Sequence, residues 1–372
     1  VKAGVYLHIP FCKSRCSYCD FATDVYRNAE TVERYVSAIA SEIESFDGLG
    51  FEADTIYFGG GTPSLLTPSQ VGKILGAISK KFTIAPGAEL TMEMNPGTVT
   101  VETLAGYRNL GINRASFGVQ TFDDTELKRL ARGHNAQDAR DTFRLLRAAG
   151  FENISFDLIA GLPRQTLDDW ERNLDEALKL HPEHLSLYLL EIHEGTPLAE
   201  QIRSERRPLP DEALAAEMYE LMVDRVAEAG YGQYEISNFS LAARESVHNS
   251  KYWLLDPVYA FGVSAHSFDG ANRYANERDT AAYVNLVEKL GSAENFREET
   301  DTASEFAFLG LRMTGGIDLR EYERRFGVDL VRKYARDLER LAEAGLVEVK
   351  DENLRLTRKG MLYSNEVFAV FV

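Results

Sequence analysis

Apolar residues in the first half of the chain follow two rhythms. Short runs rich in β-branched and aromatic residues read as strands: GVYLHI (4–9), DTIYFG (54–59), ELTMEM (89–94), RASFGV (114–119), NISFDLIAG (153–161) and HLSLYLL (184–190). Between them, TVERYVSAIASEIESF (31–46), TPSQVGKILGAISKKF (67–82), DARDTFRLLRAAG (138–150) and TLDDWERNLDEALKL (166–180) repeat their apolar positions every three or four residues, as amphipathic helices do. Strand-then-helix units in series predict parallel pairing through right-handed crossovers, hence a doubly wound sheet or a full or partial barrel. In either, ligands gather at the carboxyl ends of the strands. The polar stretches comply: GGGTPS follows the second run, NPGT the third, Gln120 the fourth and GLPRQT the fifth.

The rhythm changes near residue 191. A Pro- and charge-rich connection leads to a helix over 211–229, then to a Tyr- and Asn-rich region, 231–277, that carries HNSKYW and FGVSAHSF. From about 302 the pattern is three helices, two short strands around an Asp-Glu-Asn turn and a final helix, which resembles a winged helix. The organisation expected is 1–190 as barrel, 191–300 as its extension and 301–372 as a C-terminal, mainly helical, winged-helix-like module.

Charge narrows the functional classes. A formal net charge of −17 opposes broad contact with a phosphate backbone, and residues 301–372 hold 12 Lys/Arg against 13 Asp/Glu, so nucleic acid is not an expected partner. No run of about 18 apolar residues and no secretory signal is present, which predicts a cytoplasmic protein.

All three cysteines, Cys12, Cys16 and Cys19, fall within eight positions after the first strand. An odd, clustered set argues for a metal site in a reducing compartment over a disulfide framework. The spacing C-x3-C-x2-C puts three thiolates on one short loop, enough for three corners of a cubane iron–sulfur cluster. Structural zinc would ask for a fourth protein ligand. A cubane held by three cysteines leaves one iron open to another molecule.

The cysteine spacing, with Tyr18 before the third cysteine, resembles the radical S-adenosylmethionine superfamily. Its open iron chelates the amino and carboxylate groups of that cofactor, and its reduced cluster cleaves the sulfonium to methionine and a 5′-deoxyadenosyl radical. YLHIPFC, FGGGTPS, MEMNPGT, SFGVQTF, RGHN and FDLIAGLPRQT are similar to the oxygen-independent coproporphyrinogen III oxidase group and its relatives, the HemW heme chaperones. The resemblance implies a partial (β/α)6 TIM-like barrel, a 4Fe-4S cluster on Cys12, Cys16 and Cys19, and bound S-adenosylmethionine. It places Tyr6 below the cluster and Tyr18 beside it. Gly59, Gly60 and Gly61 would lie against the methionyl amino group with Thr62, Glu93 and Gln120 on the ribose hydroxyls, Arg132 on the carboxylate and Asp157 near the adenosyl portion. Taken singly, each of these residues also reads as an ordinary turn or strand-end residue.

Phe21 separates the two groups. The oxidases carry a further cysteine two residues past the third and a long extension before the first; here Phe21 stands at that place, and 11 residues precede Cys12. HNSKYW fits the HNxxYW signature of the chaperones. It makes His248 the candidate heme ligand, with Tyr252 and Trp253 offering flat faces to a porphyrin; a hydrogen-bonded structural histidine is the alternative. His266 lies where the oxidases bring an apolar residue to the cofactor. The function expected is therefore a heme chaperone, with an oxidase that decarboxylates porphyrinogen propionates as the runner-up. Its implied partners are heme, a recipient respiratory hemoprotein, an electron donor to the cluster and a second copy of the chain, with peripheral contact at the inner face of the membrane.

Overall fold

The structure, a computed structural model, describes residues 2–47 and 50–372. The six strand-like runs form strands Lys2–Ile9, Glu52–Gly60, Thr83–Met94, Arg114–Gln120, Ile154–Ala160 and His184–Leu189. They pair in parallel and in chain order. The intervening helices begin where the sequence supplies caps. Asn28 accepts from the Thr31 N–H ahead of Ala29–Ser45, and Thr67 and Thr166 form capping boxes with Gln70 and Asp169 ahead of Pro68–Lys81 and Leu167–Leu180.

Strand alternation divides the six-strand arc into two faces. Val5, Leu7, Ile56, Phe58, Met92, Phe117 and Leu158 point outward and are buried against Tyr35, Ile39, Ile74, Ile78 and their neighbours on the helices. The other face is polar. Tyr6 stands opposite Tyr57, Tyr57 opposite Thr91 and Thr91 opposite Arg114, while the next row up holds His8, Gly59, Glu93 and Ser116. The fold thus spends apolar area on the outer layer and keeps a polar chamber inside.

The arc does not close. Val258–Phe261 adds in parallel beside the first strand, and antiparallel strands His266–Phe268, Asn272–Asn276 and Glu294–Glu299 continue that edge. Asn238–Ser240 and Gly232–Glu235 extend the other edge, which makes a twelve-stranded sheet. A second core is built from helices Thr302–Gly310, Leu319–Phe326 and Ala335–Glu343 around a three-stranded antiparallel sheet, Ile317–Asp318, Asn353–Leu356 and Val347–Lys350. This is the winged-helix-like arrangement expected, with one short strand, Ile317–Asp318, beyond those read from the sequence.

Candidate functional site

The cysteine loop leaves the carboxyl end of the first strand. Phe11–Cys12 pairs with Asp24–Val25, which folds residues 13–23 into a closed flap over the chamber mouth. Gly61 passes directly beneath it: a Cβ there would lie 2.9 Å from Cys12 Sγ and 2.7 Å from the Pro10 carbonyl oxygen, so only glycine allows this approach. Gly60 has φ +112° and the His8 ring occupies the space of its missing Cβ. Thr62 donates its hydroxyl to Cys12 Sγ at 3.6 Å, and Arg132 Nη1 donates to Cys16 Sγ at 3.4 Å.

These residues fit an iron–sulfur cluster. Burial pushes the Cys12 thiol up to about 11 against the Thr62 hydrogen bond, and burial also raises Cys19. Thiolates in such a place need a strong positive partner, which an iron core supplies. Among the described residues no three His, Cys, Asp or Glu side chains converge on the position of one metal ion. A cubane holds its thiolates farther apart than the ligands of a single ion.

Below the loop the chamber wall forms one connected network. Glu93 accepts from Tyr57 Oη at 2.8 Å and from the Gly60 N–H at 3.0 Å. Asn95 ties two walls together, donating Nδ2 to Thr62 Oγ1 at 2.7 Å and accepting from Arg132 Nη2 at 2.7 Å. Arg132 also donates to the Gly118 carbonyl at 2.7 Å and approaches Tyr18 Oη at 3.4 Å, yet its buried Nε has no partner. Gln120, at φ +67°, folds its amide over Gly118. Burial pushes Glu93 up to about 7, offset by the Tyr57 hydrogen bond and reinforced by the Asp157 charge; burial likewise raises Asp157, against hydrogen bonding from Ser186. An unpaired guanidinium N–H, a glycine-floored wall and two strained carboxyls suit a ligand with a carboxylate, an ammonium and a diol, which S-adenosylmethionine provides.

The HNxxYW residues stand at the opposite end. Helix Val247–Trp253 closes the amino-terminal end of the strands, its first N–H groups donating to Glu89. His248 is 1% exposed and lies under Tyr57, the rings stacked at 4.9 Å. Its Nδ1 pairs with Thr55 Oγ1 at 2.8 Å and its Nε2 with Tyr252 Oη at 3.2 Å. Burial, with the Lys251 charge, lowers it to about 3, so it is a neutral imidazole with both nitrogens occupied. Trp253 points away from the chamber, into a cluster with Leu255, Phe268 and Leu309. His266 is instead exposed on the chamber mouth.

The structure therefore brings the three cysteines, Tyr6, Tyr18, Gly59, Gly60, Gly61, Thr62, Glu93, Gln120, Arg132 and Asp157 around one chamber and leaves His248 on its floor, Tyr252 beside it and Trp253 outside. Several chamber residues escaped the sequence reading, Tyr57, Thr91, Arg114 and Ser116 among them as well as Asn95 and His8. Asn95 was visible only as part of a strand-exit turn. His8, part of the first strand-like run, points inward at the mouth, where it pairs with Tyr6 Oη at 3.2 Å and donates to the Ala22 carbonyl at 2.8 Å.

Comparison with known proteins bears on this chamber directly. Residues 6–177 match the radical SAM superfamily model, and residues 298–363 match the HemN C-terminal domain. The heme chaperone HemW of Bacillus subtilis is 36% identical over 99% of both chains, and that of Lactococcus lactis is 34% identical over 99% of this chain and 97% of its own. Among solved structures, coproporphyrinogen III oxidase (HemN) from Escherichia coli, a radical SAM enzyme, superposes with a TM-score of 0.85 at 24% identity over 99% of this chain and 89% of its own, which establishes a common fold. A 4Fe-4S cluster and S-adenosylmethionine are what the superfamily implies for the chamber just described. With its cysteine loop, polar wall and full-length kinship, this chain belongs to the HemW family of radical S-adenosylmethionine proteins.

Proposed function

We propose that the chain is a heme chaperone that holds a 4Fe-4S cluster on Cys12, Cys16 and Cys19, seats S-adenosylmethionine beneath it, and passes heme to a respiratory hemoprotein. The observation that carries this reading is the match over 99% of both chains to a relative named for heme carriage. Phe21, in place of the further cysteine of the oxidases, supports it. When bound, the cluster and cofactor supply one-electron cleavage of a sulfonium. The chain's own residues bind and orient: Arg132 faces the carboxylate, Glu93 and Gln120 the ribose, and the glycine run the methionyl end. Among the described residues no helix is long and apolar enough to cross a membrane. Delivery would then proceed by surface contact at the inner face of the membrane, with a separate electron donor serving the cluster.

The shared fold does not choose between chaperone and oxidase, and one experiment does. Anaerobically reconstituted, reduced protein is incubated with coproporphyrinogen III and, separately, with hemin. The expected result is stoichiometric heme uptake without loss of carbon dioxide from the porphyrinogen. Turnover to protoporphyrinogen would sink the chaperone reading.

A further inference from the structure

The structure separates the histidines by what their ring nitrogens already do. His8, His184 and His248 have both engaged, His184 with Ser155 and Tyr234 hydroxyls at 2.8 Å each. His134 is buried with Nε2 against the Val119 carbonyl, and His193 faces Asp20 at 3.6 Å and Glu191 at 3.7 Å. His181 ends a helix at the amino-terminal end of the barrel, away from the mouth. His266 differs from all of these. Its Nδ1–H donates to the Ser264 carbonyl at 2.8 Å, which fixes the tautomer and leaves the Nε2 lone pair unpartnered on an exposed ring. One nitrogen held by a backbone carbonyl and the other free is how metal-ligating imidazoles are prepared.

The surroundings suit a flat apolar ligand with acidic edges. His266 pairs across the strands with Ala275, and the adjoining Ser264 N–H donates to the Glu277 carbonyl at 2.8 Å. The next residue, Arg278, extends Nη2 to the Asp20 carbonyl at 3.4 Å, and the His8 bond to the Ala22 carbonyl closes the bridge from the other side. Between those anchors Phe21 is 62% exposed, and Val25 and Tyr26, just past the flap, are 51% and 39% exposed. Apolar side chains gathered in one exposed place, unlike single ones scattered over a surface, mark a binding site. Lys13, Arg15 and Arg278 are exposed on this rim, with Asp20 and Glu277 as the opposing charges, in a chain of net charge −17.

We propose that the rim of the chamber mouth is the docking site for an iron porphyrin, with His266 Nε2 as an axial ligand, Phe21 against the macrocycle and Arg278 facing a propionate. This rests on the heme-carrying reading and assigns the residues that reading leaves open. His248, in this arrangement, is a structural support of the chamber floor.

Hemin titration into the full-length chain with its cluster in place tests the assignment, because the cluster then occupies the cysteine thiolates that would otherwise compete. Wild type is expected to give the Soret position and ferric electron paramagnetic resonance of an imidazole-ligated heme. H266A should weaken binding about tenfold and lose that signature, H266M should replace it with a thioether-ligated one, and F21A should weaken binding by about threefold. An H266A protein with unchanged affinity and spectrum overturns the rim site while the chaperone reading stands. A wild-type chain that takes up no heme overturns both.

Discussion

Glu93 holds an acidic proton in a place where few residues could. Its two oxygens accept from Tyr57 and Gly60, and burial lifts it to about 7 from an ordinary 4.5. The folded carboxyl therefore keeps its proton over a range in which the unfolded one has released it. Its contribution to stability is fully present below pH 4.5 and is lost as pH rises toward 7, by up to about 3 kcal/mol. Glu93→Gln keeps the shape, its Oε1 accepting from the Gly60 N–H and its Nε2 donating to Tyr57 Oη, but has no acidic proton to lose. Urea unfolding of both proteins across this interval should show wild type losing stability relative to E93Q, and parallel curves would refute the buried titration. The Glu side chain was legible in the sequence as a strand-end carboxylate. Its environment was not, because the Tyr57 hydroxyl that meets it lies 36 residues away.

At the scale of elements, the six barrel strands and the principal helices between them follow from apolar period alone, since each strand is buried on its outer face and each helix offers one apolar stripe. The flanking strands were not legible for the opposite reason. Glu294–Glu299 is an edge strand exposed at all six positions, so its sequence carries charge and no alternation. Helix Val247–Trp253 shows a subtler limit. Its motif was plain, but seven residues do not reveal which end of a barrel they will close. What holds the helix in place is Lys251, 5% exposed, whose Nζ lies 3.0 Å from Asp54 Oδ2 on the second strand. Lys251→Met leaves that carboxylate nearly buried and uncompensated, a loss of about 3 kcal/mol, whereas adding Asp54→Asn should restore most of it. Thermal melts of the two single variants and the double variant give the coupling; strictly additive losses would show that the pair is not the fastening.

The whole molecule is two cores joined at both edge regions of the large sheet, Arg312 to Glu235 at one and Glu305 to Arg273 at the other. Arg312, from the turn after Thr302–Gly310, reaches Glu235 at 3.1 Å and lies over the Trp253 ring at 4.2 Å. Thr314 and Ile236 add backbone bonds between the C-terminal module and the outermost strand region. Glu235 is 0% exposed, so Arg312→Ala strands a carboxylate in the interface and is expected to cost about 3–5 kcal/mol. Calorimetry should then resolve separate transitions for the module and the barrel, and one unshifted peak would show that Arg312 is not the latch. Module and barrel were both recognisable from sequence, but their docking was not, because it depends on pairs of residues far apart along the chain.

The stacked rings of His248 and Tyr57 give the chamber a stopped end opposite the cysteine loop. A porphyrin docked on the rim as proposed would lie across the mouth, so the nucleoside would enter before it and leave after it. Stopped-flow chase of labelled S-adenosylmethionine should show its escape slowed when hemin is already aboard, and equal escape rates would mean a second exit exists.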